Sequence, residues 1–577
     1  MIDLSSLYED PVLRSGEAAS APRMAALEAA YSVDVDATSL VAYESTGYLL
    51  IIGAERDALE CADQLRERLH CTVVATTAAN ALSDEARRAR DDAAARVQLL
   101  RGEPGELSGH LGRFTMAMRL PDGKEVSPAA LTRPDRPWFD LVLDLRREPS
   151  MRHEVPPFGY YAPAGDSTRL IEMLTEIPEM TGEFEKPRFF AYNADICAHG
   201  DSGLSGCTRC LDACPTGAIK SLGDLVDVDP YLCQGAGTCT SVCPTGAMTY
   251  AYPGPRDQIA RIKRMLATFR EAGGEQPVLI FHDEESGLER LNSLADGLPP
   301  NALPVQLAEI GAAGIDTWLA ALAYGASRIV LLDTAAVPPT VRAAMREQIG
   351  YARSLLDAMG LDGSARLVWL GSDDHPDEVL PCSLPPAVGR AASFDTFNEK
   401  RGTLRLALDH LYEHAPQRPP VTPLAAGAPF GEIIVDRDAC TLCMSCSQVC
   451  PTRAITDAVD TPRLSFTEDL CVQCGLCAKA CPEDAITLEA RFLFDWDERR
   501  KPRVLNEEEP FCCIRCGTPF ATQSVIGRMT EKLSGHHMFQ SDEAIRRLQM
   551  CGDCRVTDMF AKDLEGGSKP RWLGPRD

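Results

Sequence analysis

Apolar residues fall into short runs separated by polar turns along the first hundred positions. The stretches 41–43 (Val-Ala-Tyr) and 47–52 (Gly-Tyr-Leu-Leu-Ile-Ile) read as strands, 54–70 as an amphipathic helix and 71–76 as a further strand. A charged helix is predicted over 83–100, and Gly102-Glu-Pro-Gly breaks the pattern. These pieces predict an α/β domain over 1–105. Residues 106–190 carry many prolines and read as a β-rich segment, with 141–145 (Leu-Val-Leu-Asp-Leu) the clearest strand. Farther on, strands at 277–281, 328–333 and 366–370 alternate with helices at 315–324 and 339–359. Such alternation predicts a parallel sheet covered on both faces, here an α/β domain over 275–412. A Pro-, Ala- and Gly-rich stretch, 415–431, reads as a linker.

Length changes this picture little: 577 residues exceed one core, and about three to five domains are expected. Charge says more. Asp and Glu outnumber Lys and Arg by 84 to 58, giving a net charge of −26. Neutralising phosphates requires clustered Lys and Arg, so nucleic acid and anionic membrane surfaces are disfavoured as partners. A partner with a basic docking face suits the charge better. No uncharged apolar run reaches the ~18 residues of a membrane span; the most apolar stretch, 315–332, is interrupted by Asp316 and Arg328. The opening residues lack a basic segment followed by an apolar one, so the expected location is the cytoplasm. In that compartment, clustered cysteines imply metal or redox chemistry rather than disulfides.

Most of the 23 cysteines lie in two arrays. The second array, in a module read over 432–492, is regular. Cys440, Cys443, Cys446 and Cys450-Pro form one C-x2-C-x2-C-x3-C-P run, and Cys471, Cys474, Cys477 and Cys481-Pro form another. Three closely spaced thiolates can hold three corners of a cubane, and the returning chain supplies the fourth. In the bacterial two-cluster arrangement the fourth cysteine serves the other cluster. One [4Fe–4S] cluster then takes Cys440, Cys443, Cys446 and Cys481, the other Cys471, Cys474, Cys477 and Cys450. Proline after the last ligand fixes φ and removes a donor, turning the chain away. A pair of zinc knuckles is the bland alternative.

The first array, in a module read over 191–255, departs twice from that pattern. Cys207, Cys210 and Cys214-Pro keep the last three positions of one run, while Leu204 stands at the first; Cys197 is the expected replacement, with His199 its weaker rival. Cys233, Cys239 and Cys243-Pro keep positions one, three and four of the other run, and Ala236 stands at the second. By the same crossover one [4Fe–4S] cluster takes Cys197, Cys207, Cys210 and Cys243. The other site has Cys233, Cys239 and Cys214, enough for [3Fe–4S] or for [4Fe–4S] with a non-thiol fourth ligand. A decayed, empty site is the alternative.

Two further C-x2-C pairs, Cys513/Cys516 and Cys551/Cys554, fall in a tail read over 505–560. Two such hairpins can build a tetrahedral zinc site, so a zinc-ribbon-like knuckle is expected, with a fifth cluster second. Cys512 competes with Cys513 for the first position, and His536-His537 reads as solvent-facing. Gly311-Ala-Ala-Gly314 lacks the rest of a dinucleotide or phosphate fingerprint and is weak evidence for a phosphate site. Cys61, Cys71 and Cys382 read as packing residues. No substrate-converting constellation is visible, so no catalytic residue is assigned.

Several runs resemble a known family. Gly159-Tyr-Tyr-Ala-Pro, Gly182-Glu-Phe-Glu-Lys-Pro, Cys197-Ala-His, Gly206-Cys-Thr-Arg-Cys-Leu-Asp-Ala-Cys-Pro, Cys513-Ile-Arg-Cys-Gly-Thr-Pro-Phe and Met550-Cys-Gly-Asp-Cys-Arg look like those of large proteobacterial 4Fe–4S ferredoxin-type proteins associated with formate dehydrogenases. The segment Gly314-Ile-Asp-Thr-Trp-Leu-Ala-Ala-Leu-Ala-Tyr-Gly-Ala with Arg328-Ile-Val-Leu-Leu-Asp is similar to the delta subunit of methyl-viologen-reducing hydrogenase, which docks on heterodisulfide reductase. That resemblance implies a docking domain stripped of its cluster. The expectation is a multi-domain α+β and α/β chain in which two ferredoxin-like modules flank a flavodoxin-like domain. It implies an electron-transfer subunit of an oxidoreductase, relaying single electrons to or from a redox enzyme such as a formate dehydrogenase. The alternative is an accessory or maturation factor for a molybdoenzyme. The surplus of acids predicts low reduction potentials.

Overall fold

The computed structural model describes residues 20–77, 97–294, 298–374, 384–458, 461–539 and 541–565. Cys382 lies outside them, as does most of the helix predicted over 83–100; within them Gln98–Arg101 is a strand. Two parallel sheets form the scaffold that carries the cysteine arrays.

The amino-terminal sheet has five parallel strands in the order Gln98–Arg101, His70–Thr77, Tyr48–Ala54, Leu141–Asp144, Tyr160–Tyr161. It therefore draws on both 1–105 and 106–190, the two stretches whose composition differs. The continuous apolar run 49–52 is buried on both faces, as parallel strands between covering layers require. Helix Glu55–Leu65 buries Ala58, Leu59, Ala62 and Leu65 along one face. It ends five residues before the predicted helix does, and His70 opens the next strand. Cys61 and Cys71 sit in this core, where burial pushes their thiols up to about 11 and about 12, so both remain protonated packing residues. A separate antiparallel pairing of Leu40–Ser45 with Gly182–Pro187 leads the chain to the first array.

The central sheet has four parallel strands in the order Ala302–Gln306, Val278–His282, Arg328–Leu332, Leu367–Leu370. The sequence pattern misses Ala302–Gln306 because Pro304 interrupts it; proline is tolerated there because that strand lies at the edge. Alternate residues serve opposite layers. Leu279, Phe281, Ile329 and Leu331 pack into one core, and Val278, Ile280, Val330 and Leu332 into the other. The first of these cores gathers helices Ser20–Tyr31, Pro255–Glu271, Ile315–Ala323, Pro339–Ala358 and Lys400–Glu413, with Trp318 fully buried.

The stretch 415–431 is no free linker. Val421–Pro423 pairs with the strand Ile486–Leu493 of the second array's module, and Ala428 and Phe430 enter the central core beside Phe492 and Phe494. The second array is thereby fixed against the α/β domain. In the tail, the hairpin Pro510–Cys512/Pro519–Thr522 precedes helices Gln523–Ser534, Asp542–Leu548 and Gly552–Glu565.

Candidate metal centres

Each array is built from a repeated turn. After Cys440 the backbone takes left-handed φ at Leu442 (54°) and Met444 (61°), after Cys471 at Gln473 (53°) and Gly475 (82°), and after Cys233 at Gly235 (82°) and Gly237 (76°). Such turns point successive backbone N–H groups into a concavity that favours an anion, which suits a negatively charged thiolate cluster. Each Cys-Pro step is followed by a second turn, with positive φ at Gly217, Gly246, Arg453 and Asp484. The first half of the first array is the exception. There a small hairpin, Gly200–Asp201 with Leu204–Ser205, spans the extra residues. Its closing bonds, Gly206 N–H to His199 O (2.6 Å) and Cys207 N–H to Ala198 O (2.9 Å), bring Cys197 back beside Cys207. Both ring nitrogens of His199 are engaged, with Cys207 O at 2.9 Å and Ser221 Oγ at 2.7 Å, which leaves Cys197 as the candidate ligand there.

Electrostatics reveal which thiols stand together. Burial first, then Cys243, Cys207 and Cys197, push the Cys210 thiol up to about 12. Burial, then Cys233 and Cys214, hold Cys239 well above its ordinary value. In the second array burial and then Cys440, Cys443 and Cys481 raise Cys446 to about 12. Burial and then Cys471, Cys474 and Cys450 raise Cys477. The groupings cross over between runs, as the two-cluster arrangement requires. Buried thiols that oppose one another's ionisation need a cation to become thiolates, and bound metal supplies it. The residues therefore fit iron–sulfur clusters.

Three cations that the sequence did not flag stand beside these thiols. Lys186, buried, donates to the carbonyls of Tyr231 and Cys233; burial lowers its ammonium to about 8. Arg401 donates to the carbonyls of Asp469 and Cys471. Arg209 lowers both Cys207 and Cys474 against the burial that raises them, so its guanidinium lies near thiols of both arrays. The available signal for Lys186 was its place in the run Gly182-Glu-Phe-Glu-Lys-Pro. Hydrogen bonds also reach sulfur directly: Gln473 Nε2 to Cys471 (3.4 Å), Met248 N–H to Cys243 (3.4 Å) and Ala485 N–H to Cys481 (3.3 Å).

The two arrays touch. Lys479 Nζ donates to Ser205 O at 2.6 Å, and a methyl group at Gly206 would meet Leu476 Cγ at 2.6 Å. Cys474 adds to the charge that raises Cys207 to about 11, after burial and Cys243.

The tail is a different kind of site. The sulfurs of Cys513, Cys516, Cys551 and Cys554 all lie within 4.8 Å of one another, with Cys516 and Cys551 3.7 Å apart. A tetrahedron with metal–sulfur bonds of about 2.3 Å has edges of about 3.8 Å, so the set fits one metal ion. A cubane attaches its thiolates to separate irons and holds them farther apart, so this spacing suits a single ion better than a fifth cluster. Among the described residues this is the one set of His, Cys or carboxylate ligands that converges so closely. Only Cys513 and Cys516 sit on a hairpin; Cys551 and Cys554 open the helix Gly552–Glu565, so the two-hairpin expectation is corrected. Against burial, backbone N–H groups of Cys516, Cys551 and Arg515 lower the Cys513 thiol to about 6. Cys512 and the pair His536–His537 are exposed and outside the set.

Known families agree with the arrays. Residues 433–456 and 464–487 match the 4Fe-4S binding domain, and 205–247 match the 4Fe-4S dicluster domain. The chain contains ferredoxin-type 4Fe-4S domains. The dicluster match begins after Cys197, the ligand candidate that the hairpin returns to the array. No curated protein matches the chain. No described helix is long and apolar enough to cross a membrane.

Proposed function

We propose that the chain relays single electrons through four iron–sulfur centres arranged end to end. The order is Cys214/Cys233/Cys239, then Cys197/Cys207/Cys210/Cys243, then Cys450/Cys471/Cys474/Cys477, then Cys440/Cys443/Cys446/Cys481. One observation carries this reading: the arrays meet through Gly206 and Leu476, with Cys207 and Cys474 close enough to feel each other's charge. A maturation factor needs a docking surface; it does not need two ferredoxin-type domains in contact beside their ligand loops.

The clusters supply one-electron redox chemistry when bound. The chain's own residues hold and tune them. The paired turns aim backbone N–H groups at the clusters, and Lys186, Arg209 and Arg401 place positive charge where an added electron would reside. The α/β domain, whose strand order 2-1-3-4 suits a flavodoxin-like fold, clamps both ferredoxin-type domains and serves as the docking body. Zinc is the metal assigned to the tail. The partner is a redox enzyme; the resemblance of the quoted runs makes a formate dehydrogenase the first to try, in the cytoplasm. The test is EPR of anaerobically prepared protein during stepwise reduction. Spin–spin broadening between successively reduced centres is expected; centres that reduce without sensing one another would defeat the relay.

A further inference from the structure

The run Gly311-Ala-Ala-Gly314 lies against the loop that carries Ala236, the position without a thiol. The backbone around Ala236 wraps as it does around Cys443 and Cys474, with left-handed Gly235 and Gly237 on either side. Only the fourth sulfur is absent. The turn Ile310–Ala312 of the α/β domain sits on that loop. A methyl group at Gly311 would overlap the carbonyl oxygen of Ala236, and one at Gly237 would overlap the amide of Ala312. One at Gly314 would press on Ser241 at 3.1 Å. The Ala236 methyl packs against the α/β core. The contact is locked: Ser241 Oγ donates to Gly311 O, and Lys400 Nζ donates to the carbonyls of Thr240 and Ser241. The corresponding Cys474 of the second array is half-buried.

We propose that Cys214, Cys233 and Cys239 hold a three-iron centre whose fourth corner is sealed by the turn Ile310–Ala312. Three thiolates bind three irons; a fourth iron would need a water or substrate ligand entering from outside the loop, an approach the turn Ile310–Ala312 closes, whereas a thiol at position 236 is already inside it. The centre therefore passes electrons and binds no exogenous ligand. This inference rests on the relay reading, yet its test is independent of whether electrons move between centres.

The experiment is EPR of the full-length protein, purified anaerobically and oxidised mildly. A three-iron centre in its oxidised state has one unpaired spin, whereas ordinary oxidised four-iron centres are diamagnetic, so about one spin per chain is expected. The signal should survive incubation with ferrous iron and a thiol reductant followed by reoxidation, and should not shift with cyanide. Ala236→Cys should abolish it and add one iron per chain relative to wild type. Absence of the oxidised signal, its loss on iron addition or its shift with cyanide would each overturn the sealed corner. An unchanged signal in Ala236→Cys would overturn it too, because position 236 would then not face the fourth corner. The wild-type measurements stand even if that variant fails to fold.

Discussion

The two ferredoxin-type domains solve the same problem with different ligand inventories. The second has all eight thiols at regular spacing and leaves Cys443 at the surface. The first lacks one thiol and takes another from beyond a hairpin, and it is the one held between other parts of the molecule: the α/β domain covers its Ala236 loop while Lys186 comes from the strand Gly182–Pro187. The loop conformation nevertheless persists in both. Backbone turns thus define where a cluster belongs, and the proposed sealing of the Ala236 corner would let a neighbouring domain set how many irons that place admits.

The strongest way to break this comparison is to remove one thiol from each domain. Cys477→Ala should cost the second domain a whole cluster, about four irons per chain, and Cys239→Ala should cost the first about three. Iron analysis with protein concentration from amino-acid analysis checks both. Equal losses would mean that the two domains hold the same kind of centre at these positions. The next effect concerns the contact between them. Lys479→Ala removes the hydrogen bond from Lys479 Nζ to Ser205 O that ties the two arrays together. Iron content should hold, while spin–spin broadening between the middle two centres should fall severalfold. Retained broadening would place the electron path elsewhere.

Much of this was legible in the sequence. Cysteine spacing carries the arrays because cluster geometry fixes it locally, and the central strands announced themselves by continuous apolar runs. Four things were not legible. Ala302–Gln306 hid behind Pro304, since an edge strand tolerates what an interior one does not. The amino-terminal sheet recruits Leu141–Asp144 across a change of composition, and pairing between distant segments leaves no local trace. Gly311 and Gly314 read only as weak evidence for a phosphate site; their small size serves the approach of another backbone, a requirement set by tertiary contact alone. The cations beside Cys233 and Cys471 were hidden for the same reason, and their charge acts on a cluster in the opposite direction to the acidic surplus. Local charge near a cluster counts for more than distant surface carboxylates, which solvent and salt screen.

A third prediction separates the capped domain from the uncapped one. Glu309 immediately precedes the capping turn. Burial first, then Asp283, Glu285 and Glu284, raises its carboxyl from 4.5 to about 7. The folded chain therefore holds this proton to higher pH than the unfolded chain does. Its contribution is fully present below about pH 4.5 and is lost as pH rises towards 7. Glu309→Gln should stabilise the protein at pH 8 by up to roughly 3 kcal/mol and leave it unchanged near pH 4. Denaturation of the α/β core at the two pH values measures the difference, and a gain independent of pH would refute the titration.

The smallest effect sharpens the comparison most. Lys186 and Arg401 occupy matching places, each donating to the carbonyl of the cysteine that opens a ligand loop, Cys233 in one domain and Cys471 in the other. An added electron makes a cluster more negative, so a nearby cation stabilises the reduced form and raises the potential. Lys186→Gln should lower the potential of the centre at Cys233 by on the order of 50 mV, from charges several ångströms apart at an effective dielectric near 20. Arg401→Gln should lower the centre at Cys471 by less. There Gln473 already donates to the Cys471 sulfur at 3.4 Å, whereas Gly235 fills the equivalent position in the first domain and offers no side-chain donor. Each substitution should leave the other centre's potential where it was. A redox titration followed by EPR resolves the two. Equal shifts in both centres from either variant would mean that the cations act through the field of the whole molecule, and the correspondence between the two domains would then be one of backbone shape without matching electrostatics.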